Sequence, residues 1–344
     1  MHQILNTLYV MTPDAYVHLE NSTIRIDVER EKKLQVPLHH IGSIVCFGNI
    51  MLSTAIMHRC AEEGISLVLL SQNGRFKARL EGGVSGNILL RQAQHQAASD
   101  ENFALNVSRA MIAGKLRNSR QVLLRGARDS DDAADQQAIG AGADSLAISL
   151  RNVPLASDLA SLRGVEGDAA KNYFSCLTHL TRKSIRAPFA MNGRTRRPPL
   201  DRMNALLSFL YSMLMNDCRS ALEVVGLDPQ LGFLHTVRPG RAALALDLME
   251  EFRSILADRL ALTLINRDQI GEADFEMREG GAVQMSEKAR KILVVAYQER
   301  KQEEVNHPLL ERKVPIGVLP MLQARFLART IRGDMESYIP FLYK

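Results

Sequence analysis

The first quarter of the chain has the short hydrophobic patterns of β-strands. Residues 23–29 alternate polar and apolar side chains, as in a strand with one buried face. Residues 41–47 and 65–71 are mostly apolar runs. Between them, residues 51–63 have a helical pattern that ends at Gly64, a residue favoured just after a helix C-terminus. We therefore predict a strand–helix–strand unit here.

A hairpin is predicted immediately afterwards. Asn73 and Gly74 form a strong turn signal, and residues 75–81 would be the returning strand. The glycines of 82–86 then mark a hinge where the pattern of the chain changes.

Beyond residue 87 the pattern becomes helical. Residues 205–215 are apolar on all sides, which is typical of a central buried helix. The predicted helices cover residues 89–98, 103–124, 158–183, 205–215, 243–266, 286–304 and 319–332. The fold class is therefore α+β with two domains: a β-rich N-terminal domain with one helix at 1–85, and an all-α C-terminal domain at 86–344.

Composition narrows the class of protein. The chain has 344 residues, of which 46% are hydrophobic and 24% charged, as in an ordinary globular protein. No apolar run approaches the roughly 18 residues of a membrane helix, and the first residues lack the features of a signal peptide. The four cysteines have neither metal-site nor disulfide spacing, so we expect a cytoplasmic protein.

The positive charge is unevenly distributed. The net charge is +5, yet residues 1–84 contain equal numbers of basic and acidic side chains. Residues 182–202 carry seven Lys or Arg residues and one acid, Asp201. Such clustering indicates an anionic partner, with phosphate the first candidate. This segment contains Pro188, Gly193, Pro198 and Pro199, so it cannot form one regular helix.

Glu166 is the first candidate for chemistry. It lies between Gly164 and Gly167 in a segment that otherwise has a helical pattern. Glycine costs a helix interior about 1 kcal/mol relative to alanine, so these glycines suggest a close backbone approach or a cramped carboxylate pocket. The alternative is a surface glutamate near the start of a helix.

His235, Asp247 and Glu250 are the next candidates. His235 follows an apolar stretch and precedes a turn at Pro239 and Gly240, although a histidine there could be purely structural. Asp247 and Glu250 are three residues apart and share one helix face. Acids in an early helical turn are also favoured by the helix dipole, which gives them a non-catalytic alternative.

Together these residues suggest metal-assisted phosphodiester chemistry. Carboxylates and imidazole are hard to borderline ligands, suited to Mg²⁺ or Mn²⁺. A metal ion would withdraw charge from a phosphate and position an oxygen nucleophile. The basic segment would bind the backbone of a nucleic acid.

Three long blocks of sequence resemble the CRISPR-associated adaptation integrases, the Cas1 family, in the version found with type I-C systems. The blocks are RGVEGDAAKNYF at 163–174, NGRTRRPPLDRMNALLSFLYSML at 192–214 and GLDPQLGFLHTVRPGRAALALDLMEEFR at 226–253. Together they cover just under a fifth of the chain, and the β-rich start and helical remainder agree with the family over most of its length.

The resemblance implies a divalent metal, Mg²⁺ or Mn²⁺, held by Glu166, His235 and Glu250, with Asp247 as a further catalytic candidate. Where the family has Asp or Glu as third ligand, this chain has Glu250, which reaches one methylene further. The activity implied is integration: each 3′-hydroxyl of a spacer precursor attacks a phosphodiester of the CRISPR repeat. Members also cleave branched DNA.

The resemblance also implies partners. These are double-stranded and branched DNA, a second copy bound through the N-terminal domain, and a dimer of the small Cas2 protein flanked by two such dimers. The residues expected to contact DNA are Arg182, Lys183, Arg186, Arg194, Arg196, Arg197, Arg238 and Arg241. Ion pairing within the helical domain is the alternative role for the arginines.

Two other functions stay open on the residues alone. One is a DNA-binding protein without catalysis, whose acids are structural. The other is a metal-dependent hydrolase of a small phosphorylated substrate, whose activity would respond only weakly to salt.

Overall fold

The computed structural model describes residues 6–82 and 88–344 and contains two compact units, Met1–Gly86 and Asn87–Lys344. Most of the glycine-rich hinge predicted at 82–86 lies outside the described residues. None of the helices in the described ranges is long and apolar enough to cross a membrane. All four cysteines are buried and free.

The first unit is strand-rich, as predicted. Its strands are β1 (Thr7–Val10), β2 (Tyr16–Glu20), β3 (Thr23–Val28), β4 (Glu31–Pro37), β5 (Ser43–Phe47), β6 (Met51–Leu52), β7 (Ser66–Leu70) and β8 (Phe76–Leu80), and its helix is α1 (Thr54–Glu63). They form two four-stranded sheets, with strand orders β4-β3-β2-β6 and β1-β5-β7-β8.

The predicted strand–helix–strand unit is confirmed. Strands β5 and β7 pair in parallel, with Val45 opposite Val68, and α1 lies between them in sequence. The helix ends at Gly64 in the left-handed region, at φ 68°. The hairpin after it is also confirmed, because β8 pairs antiparallel with β7. Residues from both sheets and α1, including Ile24, Ile44 and Ile56, form one core.

The second unit is predominantly helical, as expected. Its helices are α2 (Ile88–Ser99), α3 (Glu101–Asp129), α4 (Ala133–Asn152), α5 (Leu159–Leu177), α6 (Arg202–Val225), α7 (Ala243–Met249), α8 (Arg259–Asn266), α9 (Glu287–Gln302) and α10 (Leu319–Ile331). Helix α6 is the predicted central helix, and its Leu206, Leu210 and Leu214 are fully buried. The basic segment before it contains only short 3₁₀ turns between irregular stretches, as its prolines and glycines predict.

Several details differ from the prediction. Helix α4 is missing from the predicted helices, because Gly140 and Gly142 weaken the helical signal of its sequence. The helical unit also contains two short hairpins, formed by β9 (Phe275–Met277) with β10 (Val283–Met285) and by β11 (Glu304–His307) with β12 (Arg312–Pro315). The helix predicted at 158–183 ends earlier, at Leu177. The helix predicted at 243–266 is interrupted after α7 by a turn and a π-helical segment, Arg253–Asp258. Strands of three or four residues are too short to give a clear alternating pattern.

Candidate metal and DNA site

The site is centred on Glu250, which follows the last residue of α7. Its carboxylate is 3% exposed. Glu250 Oε2 is 2.7 Å from Lys115 Nζ, and Oε1 is 2.8 Å from an Arg253 nitrogen. Burial disfavours the charged form, but the attraction of Arg253, Lys115 and His235 prevails and lowers the pKa of Glu250. The side chain is therefore an ionised, buried carboxylate at neutral pH.

Glu166 reaches the same place from α5. It forms an ion pair with Lys115, so one ammonium group contacts both carboxylates. Glu166 is the more exposed of the two acids, at 27%. A Cβ atom built on Gly164 or Gly167 would have no described atom within 4 Å, so no part of the described chain packs closely against these glycines.

Sequence reasoning missed Lys115. It lies on α3 among the buried residues Met111, Ile112 and Leu116. A lysine on an apolar helix face usually needs an acidic partner, and this was the available signal.

Asp247 contacts the Nδ1 side of the His235 ring. Asp247 is fully buried and accepts hydrogen bonds from the backbone N–H groups of Phe233, Leu234 and His235, at 2.7, 3.0 and 2.9 Å. It also lies 2.6 Å from His235 Nδ1. An ionised Asp247 makes Nδ1 the protonated nitrogen, which leaves the lone pair of Nε2 directed away from Asp247. Nε2 lies 3.9 Å from Glu250 Oε1.

Gly232 makes this arrangement possible. A Cβ atom at this position would lie 2.7 Å from Asp247 Oδ2 and 2.7 Å from the backbone carbon of Ala243. Any other residue would therefore push the His235 turn away from α7. The structure places Asp247 as the group that orients His235, with its oxygens already occupied by four donors.

The three predicted metal ligands are chemically suited to a hard divalent cation. The set contains two carboxylates, which share Lys115, and an imidazole nitrogen 3.9 Å from Glu250. Glu250 Oε2 is buried without a hydrogen bond of good geometry despite the nearby ammonium. No group of three His, Cys, Asp or Glu residues within 6–82 and 88–344 is close enough to hold a metal in this conformation. The Lys115 ammonium takes the position between the two carboxylates.

A group of arginines lies beside His235. Arg163 Nε donates to the carbonyl of Leu234 at 2.8 Å. Burial lowers the pKa of Arg241, and the charges of Arg238, Arg196 and Arg163 lower it further, so these three guanidinium groups lie near enough to Arg241 to repel it. We name Arg163, Arg196, Arg238 and Arg241 the arginine cluster. Such a concentration of positive charge favours binding of a polyanion.

Three of the predicted DNA contacts instead pair with acids. Arg182 pairs with Asp268 at 2.6 Å, and Lys183 pairs with Asp132 at 2.9 Å. Arg186 pairs with the buried Asp135, which is also 2.8 Å from His179. This is the ion-pairing alternative that the sequence left open.

Arg194 and Arg197 complete the basic segment. Arg194 is half-buried: it donates to Asn204 at 2.7 Å and to Ser208 at 3.1 Å, and its guanidinium lies 5.3 Å from the centre of the Tyr211 ring. Arg197 is exposed and, within the described chain, makes no ion pair.

A buried aspartate supports the wall of the site. Asp258 accepts hydrogen bonds from Tyr211 at 2.7 Å and Tyr173 at 2.9 Å. Burial raises the pKa of Asp258 to about 6. The Arg253 guanidinium lies 4.9 Å from the Tyr211 ring centre, a distance typical of a cation–π contact. These residues line a small pocket together with Lys115, Glu166 and Arg196.

Comparison with known proteins identifies the family. The family model described as "CRISPR associated protein Cas1" matches residues 8–299. The CRISPR-associated endonuclease Cas1 1 of Moorella thermoacetica is 57% identical over 344 residues, which is the full length of both chains. The CRISPR-associated endonuclease Cas1 2 of Rhodospirillum rubrum is 48% identical over the full length of both. The chain therefore belongs to the Cas1 family.

Solved structures agree on the fold. A Cas1 protein from Thermotoga maritima has a TM-score of 0.83 at 23% identity, over 97% of this chain and 99% of that one. A casposase bound to integration product scores 0.82 at 20% identity, over 97% and 92%. A chain of a Cas6-RT-Cas1–Cas2 complex scores 0.82 at 23% identity, over 98% of this chain and 36% of that one. The resemblance to type I-C members stays a prediction.

Proposed function

We propose that this protein is a cytoplasmic DNA integrase and endonuclease of CRISPR adaptation. It joins the 3′-hydroxyl ends of spacer-precursor DNA to the CRISPR repeat by transesterification, with Mg²⁺ or Mn²⁺. The observation that carries the proposal is that Glu250 shares Lys115 with Glu166 and lies 3.9 Å from His235 Nε2, near the arginine cluster. The site thus combines metal-ligand chemistry with a surface suited to phosphate.

Each residue has a defined task in this proposal. Glu166, Glu250 and His235 Nε2 would hold the metal, which supplies charge withdrawal from the phosphate when bound. Asp247 fixes the ring of His235, and Arg253 fixes the carboxylate of Glu250. A His235 nitrogen bound to metal is a poor general base, so we assign His235 to metal binding rather than proton transfer.

The arginine cluster would bind the phosphate backbone of DNA. Arginine forms bidentate contacts with phosphate, and such contacts position a duplex without reading its sequence. Of the predicted contacts, Arg196, Arg238 and Arg241 belong to the cluster, and Arg197 is exposed next to Arg196. We propose secondary roles at most for Arg182, Lys183, Arg186 and Arg194, because their side chains already have protein partners.

The proposed partners are double-stranded and branched DNA, a second copy of the chain and a Cas2 dimer. The Cas1–Cas2 complex among the similar structures supports a Cas2 partner. The strand-rich unit has equal numbers of positive and negative side chains over residues 1–84, which suits it to protein contacts rather than DNA. We propose it as the dimerisation domain and the helical unit as the catalytic domain.

One reaction tests the proposal. The protein is mixed with a short duplex, Mn²⁺ and a plasmid carrying a repeat array, with and without Cas2. We expect covalent joining of the duplex to the plasmid, and no joining when the duplex ends in 3′-deoxy nucleotides. Glu166→Ala, His235→Ala and Glu250→Ala should abolish joining while duplex binding persists.

The alternatives predict other results. A DNA-binding protein without catalysis would bind the duplex but join nothing under any condition. A small-substrate hydrolase would show activity that changes little between low and high salt. Joining at wild-type rates by all three alanine variants would refute the assignment of the site.

A further inference from the structure

Lys115 is the unexpected member of the site. Its ammonium contacts Glu250 Oε2 at 2.7 Å and also pairs with Glu166. These are the two carboxylates proposed to hold the metal. Lys115 is itself 11% exposed, so water screens this pairing only weakly.

The neighbouring cation, Arg253, has a different position. It contacts Oε1 of Glu250, the other oxygen of the same carboxylate, and its guanidinium packs over Tyr211. Glu250 thus has one oxygen for Arg253 and one for Lys115. Only Lys115 also touches Glu166.

A metal ion and the Lys115 ammonium cannot share this position. Carboxylate oxygens lie about 2.0–2.1 Å from bound Mg²⁺. An ammonium in contact with the same two carboxylates fills that space and repels a second cation.

We propose that Lys115 is a tethered cation that occupies the metal position in the resting protein and must leave it before a divalent metal binds. It neutralises two carboxylates that would otherwise repel each other inside the fold. Lys115 also lines the small pocket that contains Arg196 and Tyr211, so its side chain has space outside the metal position. This inference rests on the metal binding proposed above.

The test measures Mn²⁺ affinity directly, from the electron paramagnetic resonance signal of free Mn²⁺, in the full-length protein without DNA. Lys115→Met removes the competing charge, and we expect it to bind Mn²⁺ roughly tenfold more tightly, since a partly buried ion pair no longer has to be broken. Lys115→Arg keeps the charge and adds a bidentate grip on carboxylates, so it should bind Mn²⁺ more weakly than wild type.

Arg253→Gln is the matched control. It also removes one positive charge from Glu250, but not the one that contacts Glu166. A gain in Mn²⁺ affinity equal to that of Lys115→Met would show that charge alone matters, and would overturn the proposal. So would wild-type or weaker affinity in a folded Lys115→Met protein, or unchanged affinity in Lys115→Arg.

Thermal unfolding gives an independent readout. In a chelator, Lys115→Met should unfold at a lower temperature than wild type, because Glu166 and Glu250 lose their shared counter-charge. Saturating Mn²⁺ should raise its unfolding temperature by more than it raises that of wild type. An equal rise in both would count against displacement. Absence of Mn²⁺ binding in every variant would refute the metal proposal itself, whereas equal binding in all of them would refute only the role of Lys115.

Discussion

At the scale of single residues, the site depends on pairs in which one side chain fixes another. The oxygens of Asp247 accept hydrogen bonds from three backbone N–H groups and from His235 Nδ1. Arg253 fixes one oxygen of Glu250. Sequence reasoning found Asp247 as an acid near the site, because it lies three residues before Glu250. Its position behind the imidazole depends on the turn at Gly232, which sequence spacing does not reveal.

Asp247→Asn tests this supporting role. The amide cannot accept from all four donors, so the His235 ring loses its fixed orientation and protonation. We expect strand transfer to fall by about 10- to 100-fold, as for other partners of metal-binding histidines, while duplex binding is retained. The measurement is the rate of strand transfer together with Mn²⁺ affinity.

Asp268→Asn is the control for that experiment, because Asp268 pairs with Arg182 on the surface rather than with a site residue. It should transfer strands at the wild-type rate. A wild-type rate in Asp247→Asn would mean that His235 needs no fixed orientation.

At the scale of elements, the helix predicted at 243–266 breaks after α7, where Glu250 and Glu251 lie. A continuous helix would put Glu250 and Glu251 on neighbouring faces. Here Glu250 contacts Lys115 and Arg253, the latter at the i,i+3 spacing of a helix, and Glu251 contacts the C-terminal tail. The sequence predicted a single helix here, because residues 243–266 contain no Pro or Gly to mark the break and the π segment is itself rich in apolar residues. Such interruptions are frequent at functional sites.

The C-terminal tail is anchored next to the site. Glu251 is fully buried and accepts hydrogen bonds from Tyr338, from Gln323 at 3.1 Å and from the backbone of Phe341 at 2.7 Å. Asn118, three residues after Lys115 on α3, donates to the carbonyls of Glu251 and Phe341 at 2.8 and 2.9 Å. The tail thus connects the two elements that carry Glu250 and Lys115.

Glu251→Ala should therefore destabilise the helical unit. It leaves two buried donors, the Tyr338 hydroxyl and the Phe341 N–H, without an acceptor, and this costs about 2 to 3 kcal/mol of unfolding free energy. Burial raises the pKa of Glu251 to about 8, so the side chain is largely neutral at pH 7. Glu251→Gln, which is similar in size and neutral, should cost less than about 1.5 kcal/mol. Denaturant unfolding at pH 7 measures both values.

The ranking of the two variants is the critical result. Equal losses of unfolding free energy in Glu251→Ala and Glu251→Gln would contradict the assignment of the loss to a missing acceptor at this position. Because Glu251→Gln should lose little stability, its rate of strand transfer should stay near that of wild type.

At the scale of the whole molecule, charge divides the chain. Residues 1–84 carry no net charge, so the excess of +5 belongs to the helical remainder. Within that remainder, the basic segment at 182–202 does not act as one surface. Part of it pairs with acids, and part of it joins Arg163, Arg238 and Arg241 beside His235.

The triple variant with alanine at positions 196, 238 and 241 should bind duplex DNA more weakly than wild type, whatever the DNA sequence. The slope of log affinity against log salt should become shallower by about 2 to 3, at ~0.9 per lost phosphate contact. Fluorescence anisotropy over a salt series measures it.

The matched control is Arg182→Ala with Lys183→Ala, whose partners are Asp268 and Asp132. It removes two positive charges from the same segment, and its salt slope should change by less than about 1. A larger change of the salt slope in the control than in the triple variant would show that DNA binds near Arg182 and Lys183 rather than at the arginine cluster.

The sequence by itself determined much of this protein. Alternating and helical periodicities predicted the β-rich first unit and most of the helices, α4 excepted, because burial on one face leaves a local signature. The blocks around Glu166, His235 and Glu250 indicated the family. Tertiary structure alone decided that Lys115 joins two carboxylates, that Asp247 lies behind His235, and which arginines remain available beside the site. Ion pairs between distant helices depend on how those helices pack, and local periodicity contains no record of that packing.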